Sequence, residues 1–135
     1  MKVLVIDGMG GGIGRAVIEG LVGLEGVEIM AVGTNSAATH AMLKAGASTA
    51  ATGENAVVFN AARADYIVGV IGIIAANSMH GEVSPKMAEA VASSPAQKIL
   101  IPIDKCSITI IGAENTPIQA YINAIPGYIT SPAGS

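Results

Sequence analysis

Five glycines, Gly8, Gly10, Gly11, Gly12 and Gly14, fall within seven consecutive positions. The run before them, Val3-Leu4-Val5-Ile6, has the length and branching of a buried strand and closes on Asp7. The run after them, residues 13–24, sets Ile13, Val17, Leu21 and Leu24 on one helical stripe. A residue without a Cβ lets the backbone approach a phosphate closely. The unpaired N–H groups at a helix start, at the positive end of its dipole, then attract an anion. Strand, glycine turn and helix together make an anion-gripping corner, and the ligand expected there is small and phosphorylated. The plainer alternative is that the glycines only permit a tight turn and close helix–sheet packing.

Such a corner in a βαβ unit commonly holds a dinucleotide through G-x-G-x-x-G. Here the frame from Gly8 ends at Ile13 and the frame from Gly10 ends at Arg15. Gly8, Gly12, Ile13 and Gly14 do fit G-x-x-x-G-I-G, which resembles the nucleotide loop of short-chain dehydrogenases. On that resemblance NAD or NADP is the default cofactor. No Gly-Lys-Ser/Thr follows, so the loop is not a Walker A. Two features part from the dehydrogenases. The ribose-binding acid that NAD binders carry about 20 residues on is missing. A second strand over 27–32 runs instead into Gly33, Thr34, Asn35 and Ser36, with no Arg for a 2′-phosphate. Thr34, Asn35 and Ser36 could bond a ribose, but capping the next helix is the simpler role. Nor does Tyr66, Tyr121 or Tyr128 have the catalytic lysine four residues later.

The elements that position this corner follow along the chain. A second helix runs from about Asn35 to Ala45, with Gly46 as its stop. A short third strand covers 47–51, and Thr52 is the N-cap of a helix over 54–64. A fourth strand over 65–68 precedes Gly69 and Gly72, which should face the glycine loop across the sheet's switch-point crevice. A short helix over 73–79 follows. Another spans 85–92, opened by Ser84-Pro85. Strand five covers 98–103 and strand six 107–111. The three residues between them are too few for a parallel crossover, so strand six should return antiparallel. A last helix covers 117–129. The fold class is α/β: a three-layer, Rossmann-like doubly wound sheet of five parallel strands plus an antiparallel sixth. Residues 1–129 read as a single nucleotide-binding domain, and 130–135 as a loose tail.

Other side chains gather at the carboxyl edge of this sheet. Asp7 could orient a ribose or a cation, or bond the amides of the glycine turn, which Asp commonly does. His80 is a candidate general base, though a place before Gly81 also suits a helix C-terminus. Glu54, Ser78 and Asn77 could serve a ligand or a reaction; an acid at a helix start is also favoured by the dipole alone. Glu82 lies in the loop beyond. Cys106, in the expected hairpin tip beside Lys105, could be a nucleophile or a small apolar filler.

Composition narrows the classes further. The 135 residues suit one domain and leave no room for a separate substrate domain. Apolar residues make up 51% and charged residues 13%, against roughly 25% charged in an average domain. So few charges leave apolar side chains on the surface and point to self-association as a dimer or tetramer. A net charge of −3 without a basic cluster argues against nucleic acid. The longest apolar stretch is too short to span a membrane. A single cysteine suits a reducing cytoplasm. Two histidines without Cys or Glu at ligand spacing give no zinc site.

The phrases IDGMGGGIG, GTNSAATHAMLKAGA, ATGENA, GIIAANSMHGE and PKMAEAVASS together resemble an uncharacterised bacterial family, domain of unknown function 3842, over residues 2 to about 111. The resemblance implies a cytoplasmic, Rossmann-like protein and brings no activity, cofactor or catalytic residue. Three functions stay open: a nucleotide-binding protein, a small enzyme on a phosphorylated or carboxylated metabolite, and a non-enzymatic subunit with structural glycines.

Overall fold

The structure, a computed structural model, describes residues 1–103, 107–113 and 115–129. Five strands form one sheet: β1 (Lys2–Asp7), β2 (Glu28–Gly33), β3 (Thr49–Thr52), β4 (Tyr66–Val70) and β5 (Gln97–Ile101). Their order is β3-β2-β1-β4-β5, and every pairing is parallel. Five helices accompany them: α1 (Gly12–Leu21), α2 (Ser36–Ala45), α3 (Glu54–Ala61), α4 (Pro85–Ala92) and α5 (Ile118–Ile129), with a short 3-10 helix at Ile71–Ile74.

The apolar run of β1 explains the layering. Side chains alternate across a strand, and here both sets are buried. Val3 and Val5 pack with Val17, Ile18 and Leu21 of α1, Met42 of α2 and Ile122 and Ile125 of α5. Leu4 and Ile6 pack with Val57 of α3 and Met87 and Val91 of α4. Each fully buried side chain of this size contributes roughly 1.5–3 kcal/mol, so β1 is the axis of both cores. The chain winds outward from β1 to β3 with α1 and α2 on one face. It then returns through α3, on the other face, to β4 beside β1. The winding reverses between β1 and β4, which opens a crevice at their carboxyl ends.

The expected elements mostly recur with shifted ends. Asn35 caps α2, its Oδ1 accepting the Ala38 N–H at 2.9 Å, and Gly46 ends it at φ 121°. The third helix is capped by Gly53 rather than Thr52. Thr52 ends β3 instead, its hydroxyl 2.6 Å from that of Thr39. The fourth strand runs two residues further, so Gly69 lies inside it. The expected helix over 73–79 is replaced by the 3-10 turn and a chain of tight turns. Asn77, Met79 and His80 there hold left-handed backbone that no α-helix accommodates.

The antiparallel sixth strand is not present: among the described residues the sheet has five strands, and residues 107–111 form none of them. The Ile103 N–H bonds back to the Ile101 carbonyl at 2.9 Å, which turns the chain as β5 ends. Ile111 is 94% exposed, so the apolar run that suggested a strand lacks the two covered faces a central strand needs. The hairpin tip expected at 104–106, including Cys106, and the tail expected at 130–135 lie outside the described residues.

Candidate functional site

The glycine turn is built on Asp7. Asp7 is 5% exposed, and its carboxyl group accepts two backbone N–H groups, from Gly8 at 2.8 Å and from Gly14 at 2.6 Å. One buried side chain thereby ties the first residue of the loop to the first turn of α1. Gly11 bonds back to the Gly8 carbonyl at 3.0 Å and caps α1 in left-handed backbone, φ 77°.

The five glycines divide by what a side chain would meet. At Gly14 a Cβ would lie 2.6 Å from Met42 Sδ and 2.8 Å from Asp7 Cβ. At Gly11 it would lie 2.9 Å from the Ala38 backbone. At Gly8 it would lie 2.6 Å from both Met79 Sδ and Thr34 Oγ1. The chain's own packing demands these three. At Gly10 and Gly12 a Cβ would meet nothing within 4 Å, and neither residue has left-handed backbone. Among the described residues, the N–H groups of Gly10, Gly12 and Ile13 have no hydrogen-bond partner.

Those amides border a cavity of about 580 Å³ in the β1–β4 crevice, within the roughly 300–1,000 Å³ of small-molecule sites. The loop from Asp7 to Ile13 forms one side, and the turn from Ala75 to His80 forms another. Val70, Gly72, Ile103 and Ser107 complete it. The lining is largely apolar, and among the described residues Asp7 and His80 are those with ionisable side chains. Asn77 (φ 67°), Met79 and His80 (both 56°) share the left-handed region with Met9 (53°) across the cavity. Non-glycine residues held this way cost of order 1–3 kcal/mol each and cluster at functional sites.

The side chains singled out from the sequence separate accordingly. Asn77 and His80 border the cavity from the exposed surface. Ser78 also borders it but is buried, donating its hydroxyl proton to the Gly72 carbonyl at 2.5 Å and so fixing the turn. Gly72 lines the cavity; Gly69 does not. A Cβ at Gly69 would stand 2.8 Å from the Ile6 carbonyl, so that glycine serves the contact of β4 with β1. Glu54 lies away from the cavity at the start of α3, where it accepts the Ser84 hydroxyl at 2.6 Å and links α3 to α4. Ser36 is exposed on the first turn of α2. Among the described residues, no three His, Cys, Asp or Glu side chains come together as a metal site, and no helix is long and apolar enough to cross a membrane.

Thr34 and Asn35 are engaged with Glu82. Thr34 Oγ1 donates to Glu82 Oε1 at 2.5 Å, and Asn35 Nδ2 donates to the same oxygen at 3.1 Å and to the Met9 carbonyl at 3.0 Å. The Thr34 hydroxyl, then the Asn35 amide, hold the Glu82 carboxyl below the usual carboxylate range; the charge of His80 acts in the same direction, against partial desolvation. The sequence places Glu82 on a loop near this edge. Nothing in its spacing shows that it reaches the end of β2. Ala75, Ala76, Ile103 and Ser107 likewise carried no signal beyond their proximity to strand ends.

A doubly wound Rossmann-like α/β domain with a cavity at its switch point is thus the class of protein that fold and site define. The chain belongs to the family described as Domain of unknown function (DUF3842), which it matches over residues 2–131. Among solved structures it is similar to a dodecameric FMN-dependent UbiX-like decarboxylase from Escherichia coli O157:H7, at 17% identity and a TM-score of 0.51. That similarity covers 94% of this chain and 75% of the other, and it shows the fold alone. No curated protein matches the chain.

Proposed function

We propose that this protein binds a phosphate-bearing, nucleotide-type ligand, with the phosphate on the N–H groups of Gly10, Gly12 and Ile13 and the rest of the molecule in the adjoining cavity. One observation carries this reading. Gly10 and Gly12 answer no packing or backbone need of the chain, and they stand where a Cβ would crowd a ligand against unpaired amides. The amides sit at the start of α1, where the helix dipole favours an anion. Asp7 holds them in place rather than facing the ligand as a charge, since both its oxygens are turned to backbone N–H groups.

The apolar walls, Ile13, Val70, Ala75, Ala76 and Ile103, suit a planar or apolar group attached to that phosphate. An FMN-type cofactor fits this division of polar loop and apolar wall, and the structural neighbour is FMN-dependent. NAD and NADP, the default from the loop sequence, have less support, because the donors at the end of β2 are already bonded to Glu82. If a reaction follows binding, His80 is the exposed acid–base group among the described residues of the cavity. Self-association belongs to the same proposal: Met9, Val22, Phe59 and Tyr128 are exposed large apolar residues.

Calorimetric titration of the full chain with FMN, GMP, ATP, NAD and NADP tests the reading. Saturable binding of at least one, weakened by Gly12→Ala without loss of fold, is the expected result. No binding of any of them would refute it.

A further inference from the structure

We infer that Glu82 confines the glycine loop to ligands with a single phosphate-bearing nucleotide unit, and that it excludes dinucleotides. The inference rests on the loop being a phosphate cradle, as proposed above, and adds which class of phosphate ester it takes.

A dinucleotide in this kind of fold lays its pyrophosphate over the glycine turn and carries its second nucleoside toward the end of β2, where side chains bond the ribose hydroxyls. Here the polar side chains at that place are Thr34 and Asn35. The Thr34 hydroxyl proton is given to Glu82 at 2.5 Å. The Asn35 amide is shared between Glu82 and the Met9 carbonyl, and its Oδ1 caps α2. A carboxylate from the turn after β4 thus occupies these donors. Its own oxygens are turned to them, Oε1 to Thr34 and Asn35 and Oε2 to Asn35 at 3.4 Å, rather than offered to a ribose as the acid of a dinucleotide binder is.

The same turn also packs against the β2 side of the loop. Met79 Sδ and Thr34 Oγ1 both stand 2.6 Å from where a Gly8 Cβ would be, so Met79 lies beside Gly8 next to Thr34. Left-handed backbone at Asn77, Met79 and His80 gives the turn this shape, and the buried Ser78 hydroxyl anchors it to Gly72. The negative charge of Glu82 further opposes a second phosphate or a 2′-phosphate arriving there. The space left open lies on the β4–β5 side of the loop, along Val70, Ala75 and Ile103.

The test compares FMN with NAD and NADP by calorimetry on the full chain, as wild type, Glu82→Ala and Glu82→Gln. The wild type should bind FMN and bind both dinucleotides at least about tenfold more weakly, the size of effect expected when binding must first break shared polar contacts. Glu82→Ala frees Thr34 and Asn35 and should narrow that gap to within about threefold, through tighter NAD rather than weaker FMN. Glu82→Gln keeps the shape and removes the charge, so it should shift the ratio the same way by less. It serves as the test should the alanine variant not fold. Equal binding of FMN and NAD by the wild type would overturn this inference and leave the proposed function standing. An FMN-to-NAD ratio unchanged in both variants would overturn it too. Failure of every nucleotide on every form would overturn both readings.

Discussion

Replacing Asp7 by Asn removes one charge and turns one acceptor into a donor, with almost no change of shape. Both carboxylate oxygens now accept N–H groups, from Gly8 at 2.8 Å and from Gly14 at 2.6 Å, in a setting 5% exposed. An amide can satisfy one of those donors only and points its own N–H at the other. Losing a hydrogen bond to a charged acceptor costs about 1.5–3 kcal/mol, and leaving a buried N–H unsatisfied lies in the same range. The expected loss of stability is about 3 kcal/mol. At roughly 4 °C per kcal/mol for a chain of this size, the Tm should fall by about 12 °C. Asp65→Asn is the control. Asp65 Oδ2 accepts the Lys2 N–H at 2.7 Å, but in an exposed position, where such a contact is worth about 1 kcal/mol. Thermal and urea unfolding followed by circular dichroism measure both. A Tm for Asp7→Asn within a few degrees of the Asp65→Asn value would refute the account of Asp7 as the clamp that shapes the loop.

Other substitutions separate packing from binding. Gly14→Ala drives a Cβ against Met42 and Asp7 and should destabilise by about 1–3 kcal/mol in urea unfolding, whereas Gly12→Ala enters open space and should leave the urea midpoint within about 0.5 kcal/mol while weakening ligand binding. Glu82 has a depressed folded-state pKa, so its contacts contribute stability that is present above the ordinary carboxylate pKa, roughly 4.3, and is lost as pH falls through the lower folded value. Thr34→Val removes the largest cause and should raise the midpoint of the Glu82 carboxyl titration followed by carbon NMR; an unmoved midpoint would contradict the interlock. Light scattering on the purified chain should give a mass of two or more subunits, and a monomer at high concentration would count against the self-association reading.

The sequence made the β1–α1 corner legible because its signals are local. Four apolar residues, one Asp and a glycine run specify a strand, a turn and a helix start without reference to the rest of the chain. Caps were legible for the same reason: Asn35, Gly46 and Ser84 each act on neighbours a few residues away. The sixth strand was misread because 107–111 has strand-like composition, while strand formation depends on distant faces that cover it. Residues 73–79 were misread as a helix because apolar and small residues fill the stretch. What shapes it is left-handed backbone at Asn77, Met79 and His80 and a long-range bond from Ser78 to Gly72. Within the candidate site, the glycines could be found but not sorted. That Gly8, Gly11 and Gly14 serve packing, and Gly10 and Gly12 do not, depends on Met79, Ala38 and Met42, which no spacing rule brings to them. The engagement of Thr34 and Asn35 by Glu82, 48 and 47 positions apart in sequence, is likewise visible only in three dimensions.

The most direct test follows the backbone amides of Gly10, Gly12 and Ile13 by nitrogen–proton NMR while FMN, and separately inorganic phosphate, are added to the full chain. Saturable downfield shifts confined to these amides and the rim of the cavity are the predicted outcome. Amides that stay where they are while a nucleotide binds elsewhere on the protein would contradict the central claim.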